Sequence, residues 1–262
     1  MRFSVLHESH YRYSAPVRFA PHLLRLNPRP ASVWMISRVL TVRPKPVELV
    51  DVFDAHGNLI THVAFEGFAE ELFVESRFEL DTLGVPADDA GDLETYRRNR
   101  DSDESVRLFA AEVAAGAQHD PLAFLGALTE RLYSIMDRNV RTAGAARSAA
   151  TTLATREGAC RDITVLFLAA CRSRGLAARF VSGYQAQSQT PDGQRYLHAW
   201  AEVFVPGAGW SAWDPTHGVP VTDGHVALCA APDQADTMPV EGSYYGPART
   251  ATLDFSVRIA TT

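Results

Sequence analysis

Several large functional classes are excluded by what this sequence lacks. No apolar run approaches the ~18 residues needed to cross a bilayer, so no membrane partner is expected. There is no basic excess: the net charge is −6, which argues against a general nucleic-acid binder. The opening stretch "MRFSVLHESHYRYSAP" lacks the apolar centre of a secretory signal and alternates like a strand instead. The expectation is a soluble, cytoplasmic chain. Cysteine is scarce, and Cys160, Cys171 and Cys229 cannot all pair and fit no common zinc spacing. Cys160 and Cys171 fall on one predicted helix, where ~1.5 Å per residue separates them by roughly 16 Å, far beyond the ~7 Å limit for a disulfide. Free thiols and a reducing compartment follow. No His-x-x-x-His pair occurs on a helix and His119, His217 and His225 stand isolated, so no metal is expected. The glycines form no phosphate-binding loop, and no cofactor is expected.

What is present is globular: 262 residues, 46% hydrophobic and 21% charged, enough for one large domain or two smaller ones. Residues 1–84 read as strands. Phe3, Val5, His7, Ser9, Tyr11 and Tyr13 share one face at period two, as do Trp34, Ile36, Leu40 and Val42. A Gly57-Asn58 turn joins two strand-like arms, and Leu72, Val74, Phe78 and Leu80 fall together. An N-terminal antiparallel β-sandwich domain is expected. The acidic, turn-rich segment 85–104 reads as a linker.

From residue 105 to 262 the pattern is α+β. Val106, Phe109, Ala110 and Val113 make one helical stripe behind an Asp101/Glu104 pair resembling a capping box. Asp120-Pro121 opens a second helix with Leu125, Leu128, Leu132, Ile135 and Met136 on its stripe. A short Ala-rich helix runs from Ala149 to Arg156, and a longer one follows from Cys160 to a Gly175 cap. "LAARFVSGYQ", "RYLHAWAEVFV" and "GWSAWDP" then read as an antiparallel meander, and "TLDFSVRIA" as a last strand returning to one sheet.

Chemistry concentrates at three positions. A cysteine at a helix amino end faces unpaired N–H groups and the positive end of the dipole, both of which favour thiolate. Cys160 has that placement with polar Arg161 and Asp162 beside it, whereas Cys171 sits among leucine, phenylalanine and alanine. His198 shares a strand face with Tyr196, Trp200 and Glu202, and a thiol nucleophile wants an imidazole within reach. Asp214 ends the next strand before Pro215, and a hairpin around Gly207 would bring it beside His198 to orient the ring. Taken singly, each is more often a packing cysteine, a strand histidine or an Asp-Pro turn; the three in compatible geometry outweigh those separate readings.

The stretches "GACRDITVLFLAACRSRGLAARFVSGY", "HAWAEVFVPGAGW" and "WDPTHG" resemble the core of the transglutaminase-like superfamily, especially its bacterial cysteine-protease-like branch. The order Cys, His, Asp and the intervals of 38 and 16 residues are alike. "HYRYSAPVRFAPHLLRLNPRP" is similar to the β-domain that precedes this core in that branch, and the tail "DGHVALCAAPDQADTMPVEGSYYG" also matches. The resemblance implies a papain-like core with Cys160 as nucleophile, His198 as general base and acid, and Asp214 as orienter. The Cys160 N–H would be one oxyanion donor; the motifs assign no second. Tyr184 and Trp200 are candidate substrate-lining residues, each equally readable as core. Two departures stand out: Ile135-Met136-Asp137 replaces an aromatic pair found in relatives, and Cys229 takes a tail position expected to be small. The implied chemistry is acyl transfer on amide bonds of peptides or proteins, by hydrolysis in preference to cross-linking. Transamidation, or a silent partner-binding scaffold, are the alternatives.

Overall fold

The computed structural model describes residues 1–84, 92–99, 103–118, 120–188 and 193–262. Strands come first: β1 (Arg2–Phe19), β2 (His22–Leu24), β3 (Val33–Arg43), β4 (Glu48–Phe53), β5 (Leu59–Ala64) and β6 (Ala69–Thr82). Helices α1 (Leu93–Arg97), α2 (Glu104–Gly116) and α3 (Pro121–Ile135) follow, then the two-residue strand β7 (Asp137–Arg138), α4 (Ala149–Thr155), β8 (Glu157–Gly158) and α5 (Cys160–Ser173). The chain ends in β9 (Ala177–Gln185), β10 (His198–Val205), β11 (Gly209–Asp214), β12 (Val219–Pro220), β13 (His225–Ala231), β14 (Val240–Glu241), β15 (Tyr244–Tyr245) and β16 (Ala251–Thr261).

Two antiparallel sheets make the amino-terminal part. One orders β3, β6 and β1, with β15 and β16 both on the far edge of β1; the other orders β14, β2, β5 and β4. Strict alternation along β1 buries Phe3, Val5, His7 and Ser9, as period two requires. Leu72, Val74, Phe78 and Leu80 of β6 join Leu24 and Val63 of the second sheet in one core. β3 departs from expectation. Its register shifts between Met35 and Ser37, so Trp34 and Ile36 lie exposed while Val42 is buried. One extra residue moves every side chain before it to the opposite face.

The expected linker holds a helix. α1 carries Asp92 as its cap and buries Tyr96 against Trp210, with His56 hydrogen-bonded to the Tyr96 hydroxyl. Asp101, the proposed cap of the next helix, lies outside the described residues; the cap of α2 is Asp103, whose carboxylate accepts the Ser105 N–H. Asp120 caps α3 as its Asp-Pro sequence predicts, accepting the Ala123 N–H.

The second sheet system runs β12, β11, β10, β9 and β13, all antiparallel. Ala199, Ala201, Val203 and Val205 of β10, with Ala178 and Phe180 of β9, pack on α2, α3 and α5. The sheet also meets the amino-terminal part, where Tyr184, Val226 and Leu228 enter its core. Buried polar contacts pin the two parts together. Asn58 exchanges hydrogen bonds with both backbone groups of Ala230, each at 2.8 Å, and Glu202 accepts Arg179 at 2.6 Å with Arg29 at 3.8 Å. The last strand pairs along β1 from Phe3 to Tyr13, so it returns to the amino-terminal sheet.

Candidate active site

Cys160 is the first residue of α5, and the backbone around it is held by the buried side chain of Asp162. That carboxylate accepts the Ala159 N–H at 2.9 Å, the Arg147 N–H at 2.8 Å and Arg141 Nη2 at 2.5 Å. Burial alone would raise the Asp162 pKa, but these donors hold it below the ordinary value. Ala159 at the cap has no side chain to accept an amide, so Asp162 at the third helical position does the capping.

His198 opens β10 opposite Gly183 of β9, and Asp214 closes β11 on the same side of the sheet. His198 Nε2–H donates to Asp214 Oδ2 at 2.7 Å, both side chains being fully buried. Burial pushes the imidazole below its usual value, against the pull of Asp214. Burial opposes ionisation of Asp214 as well, yet the imidazoles around it hold its carboxyl well below the usual carboxylate range. An ionised Asp214 fixes the proton of His198 on Nε2 and leaves Nδ1 as the basic nitrogen.

Two further imidazoles meet the same carboxylate. His217 Nδ1 lies 2.8 Å and His225 Nε2 3.1 Å from Asp214 Oδ2, while Oδ1 accepts the Thr216 and His217 N–H groups. Gln185 donates to His217 Nε2 at 3.2 Å, which leaves Nδ1 as the protonated nitrogen. His217 and His225 are therefore not isolated, correcting the sequence reading; His119 lies outside the described residues. A signal for His217 was present, since an Asp followed by Pro and a His three residues on is a turn that folds back on the carboxylate. His225 carries no such signal and is delivered by the pairing of β13 with β9. His198, Asp214 and His217 offer ligand atoms within 4.8 Å of one another. In this arrangement those atoms are engaged as N–H donors to one carboxylate.

Tyr184 and Trp200, read as possible lining residues, are both in the interior. Tyr184 is fully buried, hydrogen-bonded to His7 Nδ1 at 2.6 Å, and belongs to the core shared by the two parts. Trp200 lies behind His198, with ring centroids 6.2 Å apart at 28°, and edge-on to His225 at 5.1 Å. They stand on opposite faces of the sheet, Tyr184 in the core shared with the amino-terminal part and Trp200 packed with Val181, Ala212, Ala227 and Ala230. Gly183 makes room for Trp200: a Cβ there would stand 2.6 Å from the indole and 2.1 Å from the Val226 carbonyl.

Cys160 and His198 line one cleft of about 490 Å³. Its walls are the 139–145 loop and α5 on one side, and β1, β16 and the 234–240 segment on the other. Cys160 is half-buried, and burial pushes its thiol up to about 11, although hydrogen bonds from the Ala199 and Arg161 backbones act in the opposite direction. The helix mouth alone therefore does not make a resting thiolate. Cys171 and Cys229 are fully buried in the core.

The chain matches two family models in the order these elements follow. Residues 3–81 match the bacterial transglutaminase-like N-terminal region, and residues 108–215 match the transglutaminase-like superfamily. The chain carries a transglutaminase-like core behind a bacterial transglutaminase-like N-terminal region. Residues Cys160, His198 and Asp214 all fall inside the transglutaminase-like match. An uncharacterised protein of Mycobacterium tuberculosis H37Rv is 25% identical over 291 residues, taking in 98% of this chain and 92% of the relative. A solved structure of a candidate cysteine protease from Cytophaga hutchinsonii shares the fold, with a TM-score of 0.76 and 21% identity over 99% of this chain and 90% of its own. A protein-glutamine gamma-glutamyltransferase of Pseudomonas aeruginosa is 37% identical over 71 residues, 25% of this chain and 11% of that enzyme.

Proposed function

We propose that this protein is a cysteine-dependent acyl-transfer enzyme acting on amide bonds of peptides or proteins, with Cys160 as nucleophile, His198 as base and acid, and Asp214 as orienter. The observation that carries this reading is the buried His198–Asp214 hydrogen bond of 2.7 Å at the edge of a cleft that Cys160 also lines. Cys160 Sγ attacks the amide carbonyl and forms the S–C bond as its proton passes to His198 Nδ1. His198 then returns that proton to the amine as the C–N bond breaks. Water then attacks the thioester carbonyl, giving its proton to His198 as the C–O bond forms, and His198 passes that proton to Cys160 Sγ as the C–S bond breaks. Burial favours the protonated resting thiol, so in this reading proton transfer accompanies attack rather than preceding it. Three free thiols suit a reducing, cytoplasmic setting, as proposed from sequence.

Transamidation is the second reading, favoured by the 37% identity to the Pseudomonas glutamyltransferase segment. There an amine takes the place of water at the thioester. The test is a peptide-amide library incubated with purified protein and followed by intact mass. The expected result is an acyl adduct on Cys160 that is absent in Cys160→Ala and is cleared by water. A labelled primary amine entering the product assigns transamidation. Turnover that survives in Cys160→Ala sinks both readings, and no adduct or turnover across the library leaves a partner-binding scaffold.

A further inference from the structure

The cleft combines two chemistries. Its β-domain wall is apolar, formed by Tyr11 of β1 and Leu253, Phe255 and Val257 of β16; Tyr196 faces Phe255 with ring centroids 6.0 Å apart. Its α5 wall is cationic. Arg141 and Arg161 both line the cleft, and no Asp or Glu does so among the described residues. Arg141 is neutralised by buried Asp162. Arg161 has no such partner: its Nη atoms donate to the Arg141 and Ala143 carbonyls at 2.6 and 2.7 Å, and it forms no ion pair among the described residues. Its Nε is buried without an acceptor. Burial and the neighbouring Arg141 press its pKa down against the pull of Asp162. Carboxylates on adjacent strands do not supply an ion-pair partner. Glu8 meets Arg258 and Ser256, and Asp254 meets Arg12. A desolvated cation beside an apolar pocket favours a ligand that brings both an apolar group and a negative charge.

Resting on the reading of this cleft as an acyl-transfer site, we propose that it selects peptide acyl donors carrying an aromatic or large aliphatic side chain flanked by a carboxylate, and discriminates against basic flanks. Phe255, Leu253 and Tyr11 receive the apolar group, so the amino-terminal sheet contributes directly to specificity; Arg161, next to the nucleophile, meets the carboxylate. The net charge of −6 on the whole chain opposes long-range attraction of such a substrate, so the preference acts at short range and is salt-sensitive.

The experiment measures binding, which needs no turnover. Fluorescent hexapeptides with a central Phe and Glu, Gln or Lys on either flank are titrated against full-length Cys160→Ala by anisotropy. The expected order is Glu, Gln, Lys, with Glu about tenfold tighter than Lys at low salt and the gap narrowing as salt rises. Arg161→Gln removes the Glu-over-Gln advantage, Arg161→Lys retains it, and Phe255→Ala weakens every Phe peptide about tenfold while sparing Gly-centred controls. Thermal melts check that each variant folds; if Arg161→Gln does not, the peptide ranking and Arg161→Lys decide. Equal affinities, a reversed order, no binding by any peptide, or a Glu preference untouched in folded Arg161→Gln overturns the proposal. Wild-type turnover of the same peptides is scored separately. The predicted binding order without a Cys160 adduct rejects the enzymatic reading alone, whereas turnover without the order rejects the selectivity alone.

Discussion

Asp214 is a single carboxylate with three imidazoles on one oxygen and two backbone amides on the other. Every partner is a donor, so the carboxylate is the form that satisfies all five, and it dictates which nitrogen of His198 is basic. Asp214→Asn puts an amide donor among these N–H groups and breaks that rule. The expected result is a folded protein with kcat lowered by about 10³–10⁴, measured on any substrate found by the library; retention of more than a tenth of the activity would falsify the orienting role. The thiol gives a second expectation. With burial holding Cys160 up to about 11, iodoacetamide labelling of the free protein should keep accelerating through pH 8 to 10. A labelling rate already at its plateau by pH 6 would instead indicate a preformed ion pair with His198. At this scale Cys160, His198 and Asp214 were legible as candidates, because their motifs are local in the chain. His225 was not: its approach to Asp214 depends on strand pairing distant in sequence.

Elements hold these residues at their stations. α5 begins where Asp162 gathers the Ala159 and Arg147 amides and the Arg141 guanidinium, and Cys160 moves with that turn. Asp162→Ala deletes a buried anion that compensates a cation, and a loss of about 3 kcal/mol in urea unfolding is expected, with Cys160 reactivity changed in the same protein. A melt indistinguishable from wild type would show that the cap is dispensable. Behind His198, β9 can approach Trp200 because Gly183 has no Cβ. Gly183→Ala forces the indole or the β13 carbonyl aside, at a cost of about 1–3 kcal/mol, and displaces the ring on which His198 rests. Unchanged activity together with unchanged stability would count against that account. Helix positions followed from caps and apolar stripes, and β9, β10 and β11 from alternation. The inserted residue in β3 had no sequence mark, and its effect on Trp34 and Ile36 appeared only with the pairing to β6.

Across the whole molecule, the amino-terminal sheets are part of the cleft rather than an appendage. β1 and β16 line it, and His7, buried beneath, joins the two parts through the Tyr184 hydroxyl. Burial lowers the His7 pKa from the ordinary imidazole value to about 4. A neutral His7 is therefore favoured in the folded chain, and its contribution is intact above pH 6.5, the unfolded value, and lost as pH falls toward about 4. The magnitude is about 3 kcal/mol, at 1.36 kcal/mol per unit. His198 is shifted in the same direction and adds to the loss. Urea midpoints should fall steadily from pH 6.5 to 4, and His7→Gln should flatten that slope. A wild-type midpoint constant over the window would refute the linkage.

The chain by itself determined its composition class, the alternating strands followed by capped helices, and the three motifs of its transglutaminase-like core. These depend on neighbours within a few residues or on fixed local spacing, so one dimension suffices to carry them. The tertiary structure decided the rest: Tyr184 and Trp200 went to the interior, His217 and His225 joined Asp214, and β16 came back to β1 as a wall of the cleft. It also raises the Cys160 thiol, because desolvation belongs to everything packed around a group and not to the residues beside it in sequence.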